Sequence, residues 1–223
     1  MGTKTVVEKE LKISIPDESI WFNFCEVLGG KPSGILRQIN TYFDTKDHAL
    51  IAHGQVMVRV REENESLEVT IKDRLVAQDD SKVQQTRERT EKITREQWER
   101  VHRGECDLTA LDVDLCRALA SEVGEKLYPI GSIINTRYLY PLSDGYVAEL
   151  DQTEFPGGRI DYEIEVELTQ PNHTLDGAMN QLGPSLEIAG IEYDSMASPK
   201  YQRFLEALRA LDSNALKSTD SSD

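Results

Sequence analysis

Residues 55–73 read QVMVRVREENESLEVTIKD. Val56, Val58 and Val60 fall on one parity, and Met57, Arg59 and Arg61 fall on the other. After a short break at Glu63-Asn64-Glu65 the alternation returns, with Leu67, Val69 and Ile71 set against Glu68, Thr70 and Lys72. A period of two marks a strand with one apolar face. A break this short predicts a hairpin.

The same pattern recurs on both sides of this hairpin. Residues 6–15 place Val7, Lys9, Leu11, Ile13 and Ile15 on one parity and Glu8, Glu10 and Lys12 on the other. Residues 159–169 (RIDYEIEVELT) give the clearest case, with Ile160, Tyr162, Ile164, Val166 and Leu168 opposing Asp161, Glu163, Glu165 and Glu167. Further strands are predicted at 38–45, 84–93, 130–140 and 146–152. In the 84–93 strand, Arg87, Arg89 and Glu91 share a face. Helical spacing after Pro16-Asp17 (Ile20, Trp21, Phe24, Leu28) ends at Gly29-Gly30. A short helix is expected at 46–52, one capped by Thr94 and Gln97, and others near 108–123, 175–189 and 199–211.

A charged parity on one strand is ordinarily the solvated face of a sheet. Here the charges come in like-signed blocks: Glu8/Glu10, Arg59/Arg61 and Glu163/Glu165/Glu167. Like charges two apart on one face repel, and a solvated face would mix signs. A closed barrel resolves this, with helices covering the apolar outside and acidic and basic blocks facing one another inside. The expected class is α+β: an eight-stranded antiparallel β-barrel, or tunnel, with helices packed outside. Carboxylate clusters suit Mg²⁺ or Mn²⁺. Arginine and lysine clusters clamp phosphate oxygens. Together they suit phosphoryl chemistry on a metal–polyphosphate complex.

Composition narrows the partners. A net charge of −15 over 223 residues argues against nucleic acid as the main partner, since phosphate neutralisation needs a basic stripe. A small polyanion remains compatible, because a basic cluster can sit inside an acidic body. No apolar run reaches the ~20 residues that span a bilayer, so no membrane partner is expected. No secretory signal is read at the start of the chain. Cys25, Cys106 and Cys116 fit neither a disulfide framework nor a metal knuckle, which points to a reducing, cytoplasmic location. Cys25 and Cys116 read as small core residues. His48, His53, His102 and His173 show no ligand spacing and read as surface or structural; Trp21 and Trp98 read as core. There is no G-x-x-x-x-G-K-[ST] loop.

Glu8-Lys9-Glu10-Leu11-Lys12 reads E-x-E-x-K. It is followed in order by Tyr42-Phe43-Asp44-Thr45, Arg59-x-Arg61, Thr70-Ile71-Lys72, Arg87 with Glu91, Arg137, Asp151, Glu163-Ile164-Glu165, and Lys200 in SMASPKYQRF. This ordered set resembles the CYTH domain, or triphosphate tunnel metalloenzymes, over residues 6–211. The resemblance implies a tunnel of residues 1–212 that binds triphosphate, followed by a disordered polar tail, 213–223. It implies metal-binding glutamates at Glu8, Glu10, Glu163 and Glu165, with Mg²⁺ or Mn²⁺ as cofactor. Lys12, Arg59, Arg61, Lys72, Arg87, Arg89, Arg137 and Lys200 would bind substrate. Asp151 would orient or deprotonate water, and Lys12 and Glu165 would complete the catalytic set. Relatives often carry R-x-E-x-E on the fifth strand, where Arg89 here replaces the first acid.

The function this implies is metal-dependent hydrolysis of a triphosphate, with inorganic tripolyphosphate favoured by the SMASPKY segment. Alternatives are a thiamine triphosphatase, a class IV-type adenylate cyclase, and a non-catalytic polyphosphate-binding module. The many carboxylates argue against the last, because an anion binder gains nothing from them unless a metal is used.

Overall fold

The charged and apolar parities separate onto the two faces of one closed sheet. The computed structural model describes residues 2–50, 56–74, 83–193 and 198–219. Its strands are β1 (Lys4–Ile15), β2 (Gly34–Asp44), β3 (Val56–Glu63), β4 (Ser66–Arg74), β5 (Val83–Lys92), β6 (Tyr128–Pro141), β7 (Val147–Glu154) and β8 (Ile160–Glu167). They pair antiparallel and close into a barrel in the order β1-β5-β4-β3-β2-β6-β7-β8. Five α-helices have both ends among the described residues: α1 (Glu18–Val27), α2 (Arg95–His102), α3 (Asp114–Val123), α4 (Leu175–Ala189) and α5 (Lys200–Thr219). None of them is long and apolar enough to cross a membrane.

The chain divides into two compact units. The first comprises residues 1–10 and 36–132. Its core joins Phe43, Val58, Val60, Leu67, Val69 and Ile71 from the strands to Val101 of α2 and to Leu115, Cys116 and Leu119 of α3. Trp98 packs against this cluster. The β3–β4 register pairs Val58 with Ile71 and Val60 with Val69, so these apolar side chains share one face. The hairpin turn is made at Asn64, which takes φ 53, a left-handed conformation that asparagine tolerates better than most residues. A capping box opens α2: the Gln97 backbone N–H donates to Thr94 Oγ1, and the Thr94 N–H donates to Gln97 Oε1.

The second unit comprises residues 11–35 and 133–223. Leu11, Ile13, Ile15, Ala148, Leu150, Tyr162, Ile164 and Val166 present the apolar strand face here. Trp21, Phe24 and Cys25 of α1 cover it, together with Ala178, Leu182 and Leu186 of α4. Asp17 caps α1 by accepting from the Ile20 N–H at 2.9 Å, and Thr174 caps α4.

Three features differ from the sequence reading. The helix expected over 108–123 begins only at Asp114, with a short 3₁₀ turn at Leu108–Ala110 before it. Its start is set by Glu91 of β5, whose carboxylate accepts from the Leu115 N–H at 2.7 Å and the Asp114 N–H at 3.4 Å. This cap comes from a distant strand, so no local signal marks it. At the C-terminus, α5 continues to Thr219, so helical backbone occupies much of the stretch expected to be a disordered tail. Of the short helix expected at 46–52, residues 49 and 50 are helical, 46 and 47 form a turn, and 51 and 52 lie outside the described residues.

Glu91 also accepts from Thr3 Oγ1 at 3.0 Å. Glu91→Ala strips the acceptor from two helix-terminal N–H groups and is expected to cost about 1–2 kcal/mol. Glu91→Gln, which keeps an acceptor, is expected to cost less. Urea unfolding followed by circular dichroism measures both, and equal stability of Glu91→Ala and the parent would refute the assignment.

Candidate functional site

Register places the ionisable side chains of the second unit in rows. Arg137 of β6 pairs with Asp151 of β7, which pairs with Glu163 of β8. In the next row Glu149 faces Glu165. All lie on the parity opposite Leu150 and Ile164, which belong to the helix-covered core, so all point into the barrel.

The result is a buried ionic cluster. Arg137 grips Asp151 with two parallel hydrogen bonds, Nε to Oδ1 at 2.8 Å and Nη2 to Oδ2 at 2.7 Å. It also pairs with Glu165 and Glu149. The Lys200 Nζ, at the start of α5, donates to Asp151 Oδ2 and Glu165 Oε1, each at 2.8 Å, and to Glu163 Oε1. Lys12 of β1 pairs with Glu165 at 2.5 Å. Arg203, one turn beyond Lys200, reaches Glu163 Oε2 and Asp161, the latter at 3.0 Å. Carboxylate oxygens of Asp151, Glu163 and Glu165 gather within 4.8 Å of one another. All three residues are buried.

Such a cluster is sustained only by compensation, since desolvation of each charge is costly. Burial acts to raise the Asp151 pKa, but Arg137 and Lys200 outweigh it and hold this carboxyl well below the ordinary range. Burial opposes charge on Lys200, while three carboxylate acceptors match the three N–H donors of an ammonium. Glu149 goes the other way. Burial, with Glu167, Glu165 and Asp151 nearby, pushes its carboxyl up to about 8 despite Arg137.

The first unit holds its own ionic group. Lys72 of β4 pairs with Glu88 of β5 at 2.8 Å and with Glu8 of β1. Thr86 Oγ1 donates to Glu8 at 3.3 Å. Arg59 stands 3.8 Å from Glu88, and Arg61 Nε donates to Asn40 Oδ1 at 3.3 Å. Burial works against ionising Glu88, but Lys72 and Arg59 prevail and bring its pKa down to about 2.

The sequence-predicted residues therefore divide. Asp151, Glu163, Glu165, Lys12, Arg137 and Lys200 come together in one cluster. Arg59, Arg61 and Lys72 share an inward face, on the parity opposite Val58, Val60 and Ile71. Among the described residues the carboxylate triad of the second unit is Asp151, Glu163 and Glu165. Glu8 is engaged by Lys72, and Glu10 is buried.

Arg87 and Arg89 require correction. They pair across strands with Asp73 and Ile71, and Ile71 belongs to the helix-covered core. Their face is thus the outer one. Arg87 pairs with Asp73 at 2.7 Å, and Arg89 grips Glu122 of α3. Both parities of β5 are polar, which hid its orientation. Ile93, which shares their parity and packs in the apolar core, was the available signal. Glu88 lies on the inward face of this strand, with Thr86 and Thr90. Also missed were Glu149, legible from its alternation with Ala148 and Leu150, and Arg203, three positions from Lys200 on one helical face.

A family model, the CYTH domain, matches residues 7–201, and the chain belongs to this family. No match is found among curated proteins. Among solved structures the chain is similar to a candidate adenylyl cyclase from Hippeastrum, described as revealing a dominant triphosphatase activity. They share 25% identity and a TM-score of 0.75, over 89% of this chain and 95% of that one. A candidate adenylate cyclase from Bacillus halodurans aligns with a TM-score of 0.69 at 20% identity, over 92% of this chain and 99% of that one. The second likeness concerns the fold.

The raised pKa of Glu149 has a thermodynamic consequence. Unfolded glutamate ionises near ~4.3, whereas folded Glu149 holds its proton up to about 8. Across that window the folded state binds more protons, so its stability falls as pH rises and levels off above the folded pKa. Glu149→Gln removes this dependence. Its melting temperature relative to the parent is expected to climb from pH 5 to pH 8 and then flatten. A constant difference across pH 5–9 would show that Glu149 titrates normally.

Proposed function

We propose that this protein is a divalent-metal-dependent triphosphatase that cleaves inorganic triphosphate to diphosphate and phosphate. One observation carries the reading: three buried carboxylates, Asp151, Glu163 and Glu165, converge while cationic side chains meet the same oxygens. The Hippeastrum relative described as having dominant triphosphatase activity supports it.

The donor set fits the cofactor. All three ligands are hard carboxylate oxygens, which suits Mg²⁺ or Mn²⁺. Asp151, Glu163 and Glu165 would hold the ion, and Glu10 keeps the metal-ligand role given by the resemblance. The bound ion would neutralise phosphate charge and fix the geometry of in-line attack. With its depressed pKa, Asp151 serves as ligand and orienter, since a carboxylate of such low basicity is a poor proton acceptor.

Lys12, Arg137 and Lys200 are the phosphate-binding groups of the acidic cluster, and Arg59, Arg61 and Lys72 are those of the first unit. Glu8 and Glu88 orient Lys72. In hydrolysis a water oxygen bonds to the terminal phosphorus as the bond to the bridging oxygen breaks; diphosphate leaves, one water proton stays on the phosphate formed and the other passes to solvent. Guanidinium and ammonium groups stabilise the charge gathering on that bridging oxygen. Arg87 and Arg89 have no part in this, because they face the helices outside.

A second reading, adenylate cyclisation, draws on the Hippeastrum relative, which is described as a candidate adenylyl cyclase. The deciding experiment is a product panel with tripolyphosphate, thiamine triphosphate and ATP, assaying phosphate, diphosphate and cyclic AMP. Phosphate release is expected to be fastest with tripolyphosphate and to vanish in excess EDTA. Full turnover in EDTA, or cyclic AMP as the main product from ATP, would refute the proposal.

Arg59→Ala removes a charge-assisted phosphate contact worth roughly 1.5–3 kcal/mol. The specificity constant is expected to fall about ten- to a hundredfold, without rescue by added metal. Glu163→Gln is expected to abolish most turnover, less so as metal concentration is raised. Unchanged kinetics in folded Arg59→Ala would remove Arg59 from the phosphate site.

A further inference from the structure

The charged atom of Lys200 meets all three carboxylates of the triad. Arg137 touches Asp151 and Glu165, Lys12 is paired with Glu165, and Arg203 with Glu163. The Lys200 Nζ thus stands where the three carboxylate oxygens converge, the position a divalent cation bound by these ligands would take.

The charge balance of the cluster sharpens the point. Lys12, Arg137, Lys200 and Arg203 already set positive charge against the carboxylates Asp151, Asp161, Glu163 and Glu165, with Glu149 also against Arg137 and Arg159 against Asp161. Adding a divalent cation to this buried cluster brings two further positive charges beside cations already in place, which burial penalises heavily. One cation must yield, and an anion must accompany the metal. The four cations differ in how easily they can yield. Arg137 is fixed by strand register and a bidentate grip on Asp151. Lys12 sits within β1. Arg203 is anchored by the Ser198 carbonyl at 3.0 Å and lies over the Phe155 ring. Lys200 is the first residue of α5, joined to the cluster by a flexible four-carbon stem.

Resting on the reading of Asp151, Glu163 and Glu165 as metal ligands, we propose that Lys200 is a tethered stand-in for the metal: its ammonium holds the triad together and gives way when the cation arrives with triphosphate. The released ammonium is then placed to meet a phosphate oxygen. Metal binding and triphosphate binding are thereby coupled. The metal alone must displace a charge with nowhere to go, whereas with triphosphate the displaced charge gains a new partner. The coupling is reciprocal, so triphosphate binds better with metal to the same factor.

The test is Mn²⁺ titration followed by electron paramagnetic resonance of the free ion, with and without a methylene-bridged triphosphate analogue that is not hydrolysed. Wild type is expected to bind Mn²⁺ alone weakly and much more tightly with the analogue. Lys200→Met is expected to bind Mn²⁺ alone at least tenfold more tightly than wild type, with a smaller gain from the analogue. Lys200→Arg, which keeps the charge, is expected to bind Mn²⁺ alone as weakly as wild type. Circular dichroism establishes that each variant is folded, and Lys200→Gln replaces Lys200→Met if that variant is not. Mn²⁺ affinity in folded Lys200→Met no higher than in wild type would overturn the stand-in role. The Lys200→Met/Glu163→Gln double variant tests the underlying reading separately. Mn²⁺ binding that survives there as tightly as in Lys200→Met would show that the ion does not use the triad, and both readings would fall together. Loss of binding there supports the triad whatever the outcome for Lys200.

Discussion

Everything in this protein follows from the need to bury like charges on the inside of a closed sheet. Glu163 and Glu165 occupy one face of β8, with Glu149 and Asp151 beside them on β7. Each carboxylate is largely withdrawn from solvent and sits close to another. That arrangement is tenable because Arg137 on β6, Lys12 on β1 and Lys200 and Arg203 on α5 deliver positive charge to the same oxygens. Breaking such a compensated set by removing one partner leaves an uncompensated buried charge, which costs far more than a surface pair would. The fold is therefore tied to the electrostatics of its interior as much as to its apolar outer shell.

The outer shell makes that interior possible. Strands alternate, so residues that point charges inward must point the next side chains outward. On the outside Val58, Val60, Val69 and Ile71 meet α2 and α3, and Leu150, Ile164 and Val166 meet α1 and α4. Closing the sheet also removes edges that could pair with other chains. A helix-covered barrel is thus a way of concentrating polar groups in a core without losing the hydrophobic burial that stabilises the chain. A buried interior lined with both carboxylates and cationic side chains is also suited to holding a highly charged anion together with a cation, because interactions there are screened less than in water.

The ionic side chains divide by the face of the sheet they occupy. Asp151, Glu163, Glu165, Arg137, Lys12 and Lys200 form one connected network whose members were each legible from strand parity or from the family motif. Arg87 and Arg89 were assigned by the same motif logic and face the opposite side, tied to Asp73 and Glu122. The difference lies in the strands. On β8 the two parities differ sharply in polarity, and burial of one fixes the other. On β5 both parities are polar, so periodicity could not decide the face, and only the pairing of Arg89 with Ile71 does. Glu91 shows the same limit for helices, since it caps α3 from a residue more than twenty positions earlier.

The sequence by itself determined which strands exist, which of their faces are charged, and that the chain belongs among proteins with an inward-facing ionic barrel. It could do so because strand periodicity and charge segregation are local, with each residue's face set by its immediate neighbours along the chain. Only the tertiary structure decided which charges meet: that Asp151 joins Glu163 and Glu165, that Glu149 is pushed toward neutrality, and that Lys200 and Arg203 reach the cluster from a helix at the far end of the chain. Those contacts depend on strand register and helix docking between segments separated by tens of residues. At such distances the electrostatic energy of a side chain is set by neighbours that its own stretch of sequence does not contain.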